Sequence, residues 1–203
     1  FSGHGSALAQ VYNHMILPLS NTRDKHTQVI WGIQDFKRRF QRAPEGMWLP
    51  ETAVDLPSLE VLAEHGIKFT ILAPRQAKRV RKVGARRWKD VNENDVDTSV
   101  PYICVLPSGK EIVLFFYSGP ASHDIAYGGL LHSGTNFAAR LIGAFPSDGD
   151  GPRLVHVATD GESFGHHHRH GDMALAYCIH HIETNNLAKI TIYGEYLEKF
   201  PPD

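Results

Sequence analysis

At 203 residues the chain has the length of one domain or of a piece of a larger one, and 42% apolar residues are enough to bury a core. Its longest apolar runs are a few residues, far short of the ~18 that a membrane-crossing helix needs, which excludes such a span. With Lys+Arg 21 against Asp+Glu 22 the net charge is -1, so no overall field favours nucleic acid or anionic lipid.

No internal repeat or linker divides the chain, and the simplest reading is a single domain over 1–203. Ala7 to His14 carries a short apolar stretch. Asn21 or Thr22 can cap a helix in which Val29, Ile33, Phe36 and Phe40 repeat at helical spacing, stopped by Pro44. Gly46 to Leu49 reads as a strand, Asp55 as the cap of a helix lined by Leu56, Leu59, Leu62 and Ala63 and ended by Gly66, and Ile67 to Leu72 as the next strand. Tyr102 to Leu106 and Ile112 to Tyr117 flank Pro107-Ser108-Gly109-Lys110, a hairpin turn sequence. Phe137, Ala138, Leu141, Ile142 and Phe145 mark an amphipathic helix, Leu154 to Ala158 a buried strand, and Met173 to Ile182 a helix capped by Asp172. Strands alternating with helices predict an α/β fold, a parallel sheet or barrel whose chemistry lies at the C-terminal ends of strands.

Arg75, Lys78, Arg79, Arg81, Lys82, Arg86, Arg87 and Lys89 crowd one segment, followed by Asp90, Glu93, Asp95 and Asp97. Four acids within eight residues neutralise half of that charge locally, so the segment reads as a solvated loop or lid rather than a polyanion site. Two cysteines, Cys104 and Cys178, cannot build a disulfide framework, which fits a reducing, cytoplasmic compartment. Phe1-Ser2-Gly3-His4-Gly5 lacks the basic and apolar regions of a signal peptide and an initiator Met, so the chain reads as cut from something longer.

Two carboxylates stand at predicted strand ends. Glu51 follows Met47-Trp48-Leu49-Pro50, where it could act chemically or simply cap the next helix. Asp160 follows Leu154 to Ala158, inside Thr159-Asp160-Gly161-Glu162-Ser163-Phe164-Gly165-His166-His167-His168, where glycines free the backbone for close approach to a ligand. Such a pair, one ionised and one protonated, is what glycosidic cleavage requires. Trp48 offers an indole face to a sugar ring, or is a core residue. Histidine is over-represented, with 13 in all, and His166, His167, His168 and His170 lie together. With Asp172 they admit a metal reading, a sugar-hydroxyl reading and a purely structural one; adjacent histidines on a regular element point apart, which weakens the first. His4, Gln10, Asn13 and His14 form another neutral polar group of the kind sugar sites use, and Tyr117, Ser118, His123 and Asp124 are second-rank contacts.

Trp48-Leu49-Pro50-Glu51 and Asp160-Gly161-Glu162-Ser163-Phe164-Gly165-His166 together resemble the nucleophile and acid/base motifs of glycoside hydrolase family 57, the α-glucan-active amylases, glucanotransferases and branching enzymes. Asn13-His14 before Pro18-Leu19, and Phe115-Phe116-Tyr117-Ser118-Gly119-Pro120, resemble a subgroup of long members. The resemblance implies part of a (β/α)7 barrel, retention of configuration, Glu51 as nucleophile and Asp160 as acid/base. His14, Trp48, Tyr117, Glu162, His166 and His167 are the expected sugar contacts. No metal or other cofactor is expected, and the expected partner is an oligo- or polysaccharide, not nucleic acid or membrane. The family's first, His-containing motif has no counterpart here, so the chain is expected to begin near the third barrel strand and to lack the later helical part. Relatives often carry Asp where Ser118 stands. A metal-dependent carbohydrate hydrolase such as a polysaccharide deacetylase is the alternative enzyme, and a non-catalytic carbohydrate-binding module the alternative to an enzyme.

Overall fold

The computed structural model describes residues 2–147 and 151–202. In chain order its elements are β1 (Ala9–Gln10), α1 (Thr22–Phe40), β2 (Met47–Trp48), α2 (Leu56–Glu64), β3 (Phe69–Leu72), β4 (Arg79–Val80), β5 (Lys89–Asp90), β6 (Tyr102–Val105), β7 (Glu111–Phe116), α3 (Gly119–Ala126), α4 (Gly134–Ile142), α5 (Gly171–Thr184) and α6 (Tyr193–Lys199). They form two compact units. One comprises Phe1–Leu72, Pro101–Phe115 and Ile192–Asp203, the other Ala73–Val100 and Phe116–Thr191.

The first unit begins with the predicted β-α-β-α-β run. Asn21 accepts a hydrogen bond from the Asp24 amide and starts α1, whose last turn carries Lys37, Arg38 and Arg39 against the negative end of the helix dipole. Val29, Ile33 and Phe36 are buried as their spacing predicts, but Phe40 is half exposed and reaches the core only through its ring contact with Phe36. A Cβ on Gly32 would lie 2.0 Å from the Gln10 carbonyl oxygen, so glycine alone lets α1 approach β1 this closely. The helix returns the chain so that β2 pairs in parallel with β1, Ala9 opposite Met47. Asp55 caps α2 as expected, although Leu56 is exposed and Val61 takes the buried place. A parallel bridge between Gly46 and Phe69 then sets β3 beside β2.

β6 and β7 form the predicted antiparallel hairpin, Tyr102 opposite Leu114, and β7 lies between β3 and β6. The hairpin turn is tied to α2 where the Ser108 amide and hydroxyl donate to Glu60. α6 was not legible as a helix; its Tyr193 ring packs on Phe69 and Phe115. The N-terminal His4 joins the same unit, 2.8 Å from Glu45 and 3.0 Å from Glu198.

In the second unit α4 and α5 pack so closely that a Cβ on Gly134 would meet the Tyr177 ring at 2.7 Å, around a core of Ile125, Leu131, Phe137, Ala138, Ala174, Cys178 and Ile182. α5 starts earlier than its apolar run suggested. His170, in the left-handed conformation, occupies the capping position, and Asp172 lies inside the first turn, where its charge meets the dipole without capping. Leu154 to Ala158 is extended and half-buried but is not a strand. Its hydrogen bonds go to scattered loop and helix positions, Leu154 to Ser99, His156 to Ser118 and Ala158 to Ser122, rather than along one neighbouring ladder. The basic segment is not a plain loop either: β4 and β5 pair antiparallel, Arg79 opposite Asp90. α3, unpredicted, opens at Ser118, whose hydroxyl accepts from the Ala121 amide.

Candidate active site

In the first unit the chain leaves β2 at Trp48, passes through Leu49 and enters a single turn, Pro50–Thr52. Glu51 (φ 57) and Thr52 (φ 54) both adopt the left-handed conformation. For a glutamate this is uncommon and for a β-branched threonine it is an outlier, the kind of strain that surrounding structure must impose. Thr52 is buried, and Leu49 and Pro50 before it are buried too, so this turn is clamped at its base. The outcome is a carboxylate standing clear of the chain: the Glu51 side chain is 71% exposed and its Oε1 lies 2.9 Å from His14 Nε2. Trp48, half-buried, precedes it at the strand end.

His14 follows β1 as Glu51 follows β2, so both stand at the C-terminal ends of neighbouring parallel strands. The loop carrying His14 is held by Gln28, buried on α1, whose side-chain oxygen accepts from the Asn13 amide at 2.8 Å and whose carbonyl accepts from the Tyr12 amide at 3.2 Å. Gln28 was not singled out from the sequence. The signal was available: a polar residue within the apolar stripe of α1 has to satisfy its amide in the interior. His4, by contrast, does not join His14; it is committed to Glu45 and Glu198, whose hydrogen bonds raise its pKa above the ordinary histidine value.

The second unit holds Asp160, exposed, at the start of the turn Gly161–Phe164. The Glu162 carbonyl accepts from the amides of both His166 and His167, and this curls the motif so that the two exposed imidazoles meet edge-on, 4.8 Å apart. His168 turns the other way and donates from Nε2 to the Ala126 carbonyl at 2.8 Å, anchoring the loop to the end of α3. His170 forms the helix entry. The cluster thus divides into two exposed rings, one anchor and one backbone position. Among the described residues no three His, Cys, Asp or Glu side chains form a metal-ligand group. Tyr117 is half-buried at the end of β7. Asp124 is engaged by Arg140 at 2.7 Å, whose hydrogen bond holds its carboxyl below the usual range. Ser118 spends its hydroxyl on the α3 cap, a position aspartate fills equally well.

His156, four residues before Asp160, is held neutral: burial pushes its pKa down to about 4, against hydrogen bonds to the backbone of Thr98 and Phe116.

Comparison with solved structures gives the same fold. The branching enzyme of Pyrococcus horikoshii superposes with a TM-score of 0.75 at 18% identity, over 100% of this chain and 46% of its own. The 4-alpha-glucanotransferase of Thermococcus litoralis gives 0.70 at 19%, over 97% and 29%. A putative polysaccharide deacetylase of Mycobacterium smegmatis gives 0.58 at 15%, over 96% and 64%. The chain therefore spans less than half the length of the two glucan-active enzymes. No curated protein sequence matches it. The sequence profile described as Glycosyl hydrolase family 57 matches residues 2–203, and the chain belongs to that family, as part of its distorted (β/α)7 barrel.

Proposed function

We propose that this chain carries the catalytic carboxylates of a retaining glycoside hydrolase or transglycosylase acting on α-linked glucans, Glu51 as nucleophile and Asp160 as acid/base. The observation that carries this reading is the Glu51 turn: a strained backbone that projects an exposed carboxylate from the end of a parallel strand, in a chain belonging to family 57. Glu51 attacks the anomeric carbon while Asp160, protonated, gives its proton to the leaving oxygen. Asp160 then takes the proton of the incoming water or sugar hydroxyl as the glycosyl-Glu51 ester is cleaved. A separation of ~5 to 5.5 Å between the carboxyl groups is what this chemistry asks of the active molecule.

Trp48 and Tyr117 supply apolar faces for sugar C–H groups, and His14, Glu162, His166 and His167 supply hydrogen bonds to hydroxyls. Both cysteines are free, which agrees with a cytoplasmic protein, and burial raises their thiol pKa values, that of Cys178 to about 11.

The test uses the full-length protein. Glu51→Gln should lose at least about 10³-fold in turnover on maltooligosaccharides and on an activated aryl glucoside alike, because no leaving group replaces the nucleophile. Asp160→Asn should lose about 10²- to 10⁴-fold on maltooligosaccharides but keep rapid glycosylation by the aryl glucoside, which departs without a proton. Undiminished turnover by Glu51→Gln ends the assignment. The deacetylase likeness makes a second measurement worthwhile: release of acetate from an acetylated oligosaccharide, dependent on added zinc, would favour the metal-dependent alternative.

A further inference from the structure

The most strongly charged surface belongs to the β4–β5 hairpin. Between Arg75 and Lys89 it carries eight cations, every one exposed. Their acidic neighbours in sequence offset them only in part: Asp90 lies opposite Arg79 and Glu93 is exposed, and eight cations against four acids leave an excess of four over 75–97. Asp95 is engaged by Asn92, and Asp97 accepts from Ser99 and pairs with Arg153 at 3.3 Å. Among the described residues none of the eight forms an ion pair. The remaining excess of like charge repels itself, so a ligand that neutralises it stabilises the hairpin.

Two guanidiniums are pre-ordered. Arg79 and Arg81 lie over the Trp88 ring, 4.8 and 4.6 Å from its centroid. Stacked in this way they keep their charge while losing rotamer freedom, and although Arg81 donates from Nη1 to the Ala85 carbonyl at 3.0 Å, further N–H donors remain to grip a phosphate. The exit of the hairpin is fastened to the segment that runs into Asp160: Asp97 to Arg153, Thr98 to His156 and Ser99 to Leu154. An anion held on the hairpin is therefore held next to a segment bonded to the one that leads to the proposed acid/base.

We propose that this hairpin is an anion-binding arm and that the substrate is a phosphate-bearing α-glucan, a refinement that rests on the glucan-cleaving function proposed above. Nucleic acid is the poorer fit, because a single strand stacks on successive aromatic faces and the hairpin offers one ring, the half-exposed Trp88, with two guanidiniums over it. A membrane surface is poorer still, since Val83 and Trp88 are the only large exposed apolar residues of the hairpin.

The test is equilibrium binding by the full-length protein, at about 50 mM salt, to a phosphorylated amylopectin, to the same amylopectin stripped by a phosphatase, to an oligothymidylate and to phosphatidylglycerol vesicles. The phosphorylated glucan should bind about 10-fold more tightly than the stripped one, with the gap closing as salt rises. The triple variant Arg79→Glu, Arg86→Glu, Arg87→Glu should abolish the gap. Should that variant fail to fold, Lys82→Gln with Arg87→Gln should narrow it. Equal affinity for the two glucans, a gap that survives charge reversal in a folded variant, or tighter binding to the oligonucleotide or vesicles overturns the proposal. Failure to cleave neutral maltooligosaccharides would strike instead at the underlying function and is read in a separate assay.

Discussion

Glu51 and Thr52 are where local conformational preference and the proposed chemistry conflict. Each left-handed residue costs on the order of 1 kcal/mol or more, while the exposed His14 contact returns about 0 to 1 kcal/mol. Asparagine tolerates this conformation better than glutamate. Glu51→Asn should therefore leave the thermal midpoint unchanged or raise it by up to about 3 °C, as calorimetry would show, while turnover disappears. A fall of more than about 3 °C would mean that the turn is not strained at Glu51. The motif residues themselves were legible in the sequence, because Trp48 to Glu51 is a local string. The backbone that presents them was not: nothing in Pro50-Glu51-Thr52 favours positive φ, and the burial of Leu49, Pro50 and Thr52 imposes it. The histidine run was legible as a concentration of imidazole but not as a division of labour, because His168 finds its acceptor, Ala126, 42 residues away.

Among the elements, legibility followed periodicity. α1, α2, α4 and the β6–β7 hairpin carry strong local patterns and appear close to where those patterns lie. Leu154 to Ala158 has the composition of a buried strand, yet among the described residues its backbone bonds go to Ser99, Ser118 and Ser122 in turn, and composition cannot reveal where such bonds lead. The close approach of α1 to β1 depends on one glycine, so Gly32→Ala should cost roughly 1 to 3 kcal/mol in urea unfolding, whereas the same change at an open helix position would stabilise by about 1 kcal/mol. The extended segment predicts a pH effect. His156 binds a proton less readily folded, at about 4, than unfolded, near 6.5, so the unfolded state takes up protons first. Its neutral state supports full stability above pH 6.5, and stability should fall as pH drops from 6.5 towards 4, by up to about 3 kcal/mol. His156→Gln should flatten that slope; an unchanged slope assigns the acid sensitivity elsewhere.

Over the whole molecule the opposite sign is found at His4. Its pKa is raised by Glu45 and Glu198, so the folded state holds the proton longer. The stabilisation is complete below pH 6.5 and is lost as pH rises through the folded value. The thermal midpoint of the parent protein should therefore decline as pH rises above neutrality, and His4→Gln should remove that decline. Family membership and fold class were readable from the chain because its two motifs are specific when taken jointly. The arrangement into two units was not readable, because no linker or shift in composition marks where the chain passes from one to the other.

That passage governs the order in which the protein can be made. The first unit is assembled from three separated stretches, and the last, Ile192–Asp203, supplies Tyr193 to the ring cluster of Phe69 and Phe115. During synthesis every residue of the second unit emerges before that tyrosine does. The second unit can close while the ribosome is still at work, whereas the first waits, with Phe69 and Phe115 uncovered, for Ile192–Asp203. A stop after Thr191 would release a chain that holds every residue of the second unit but leaves Phe69 and Phe115 without the Tyr193 ring.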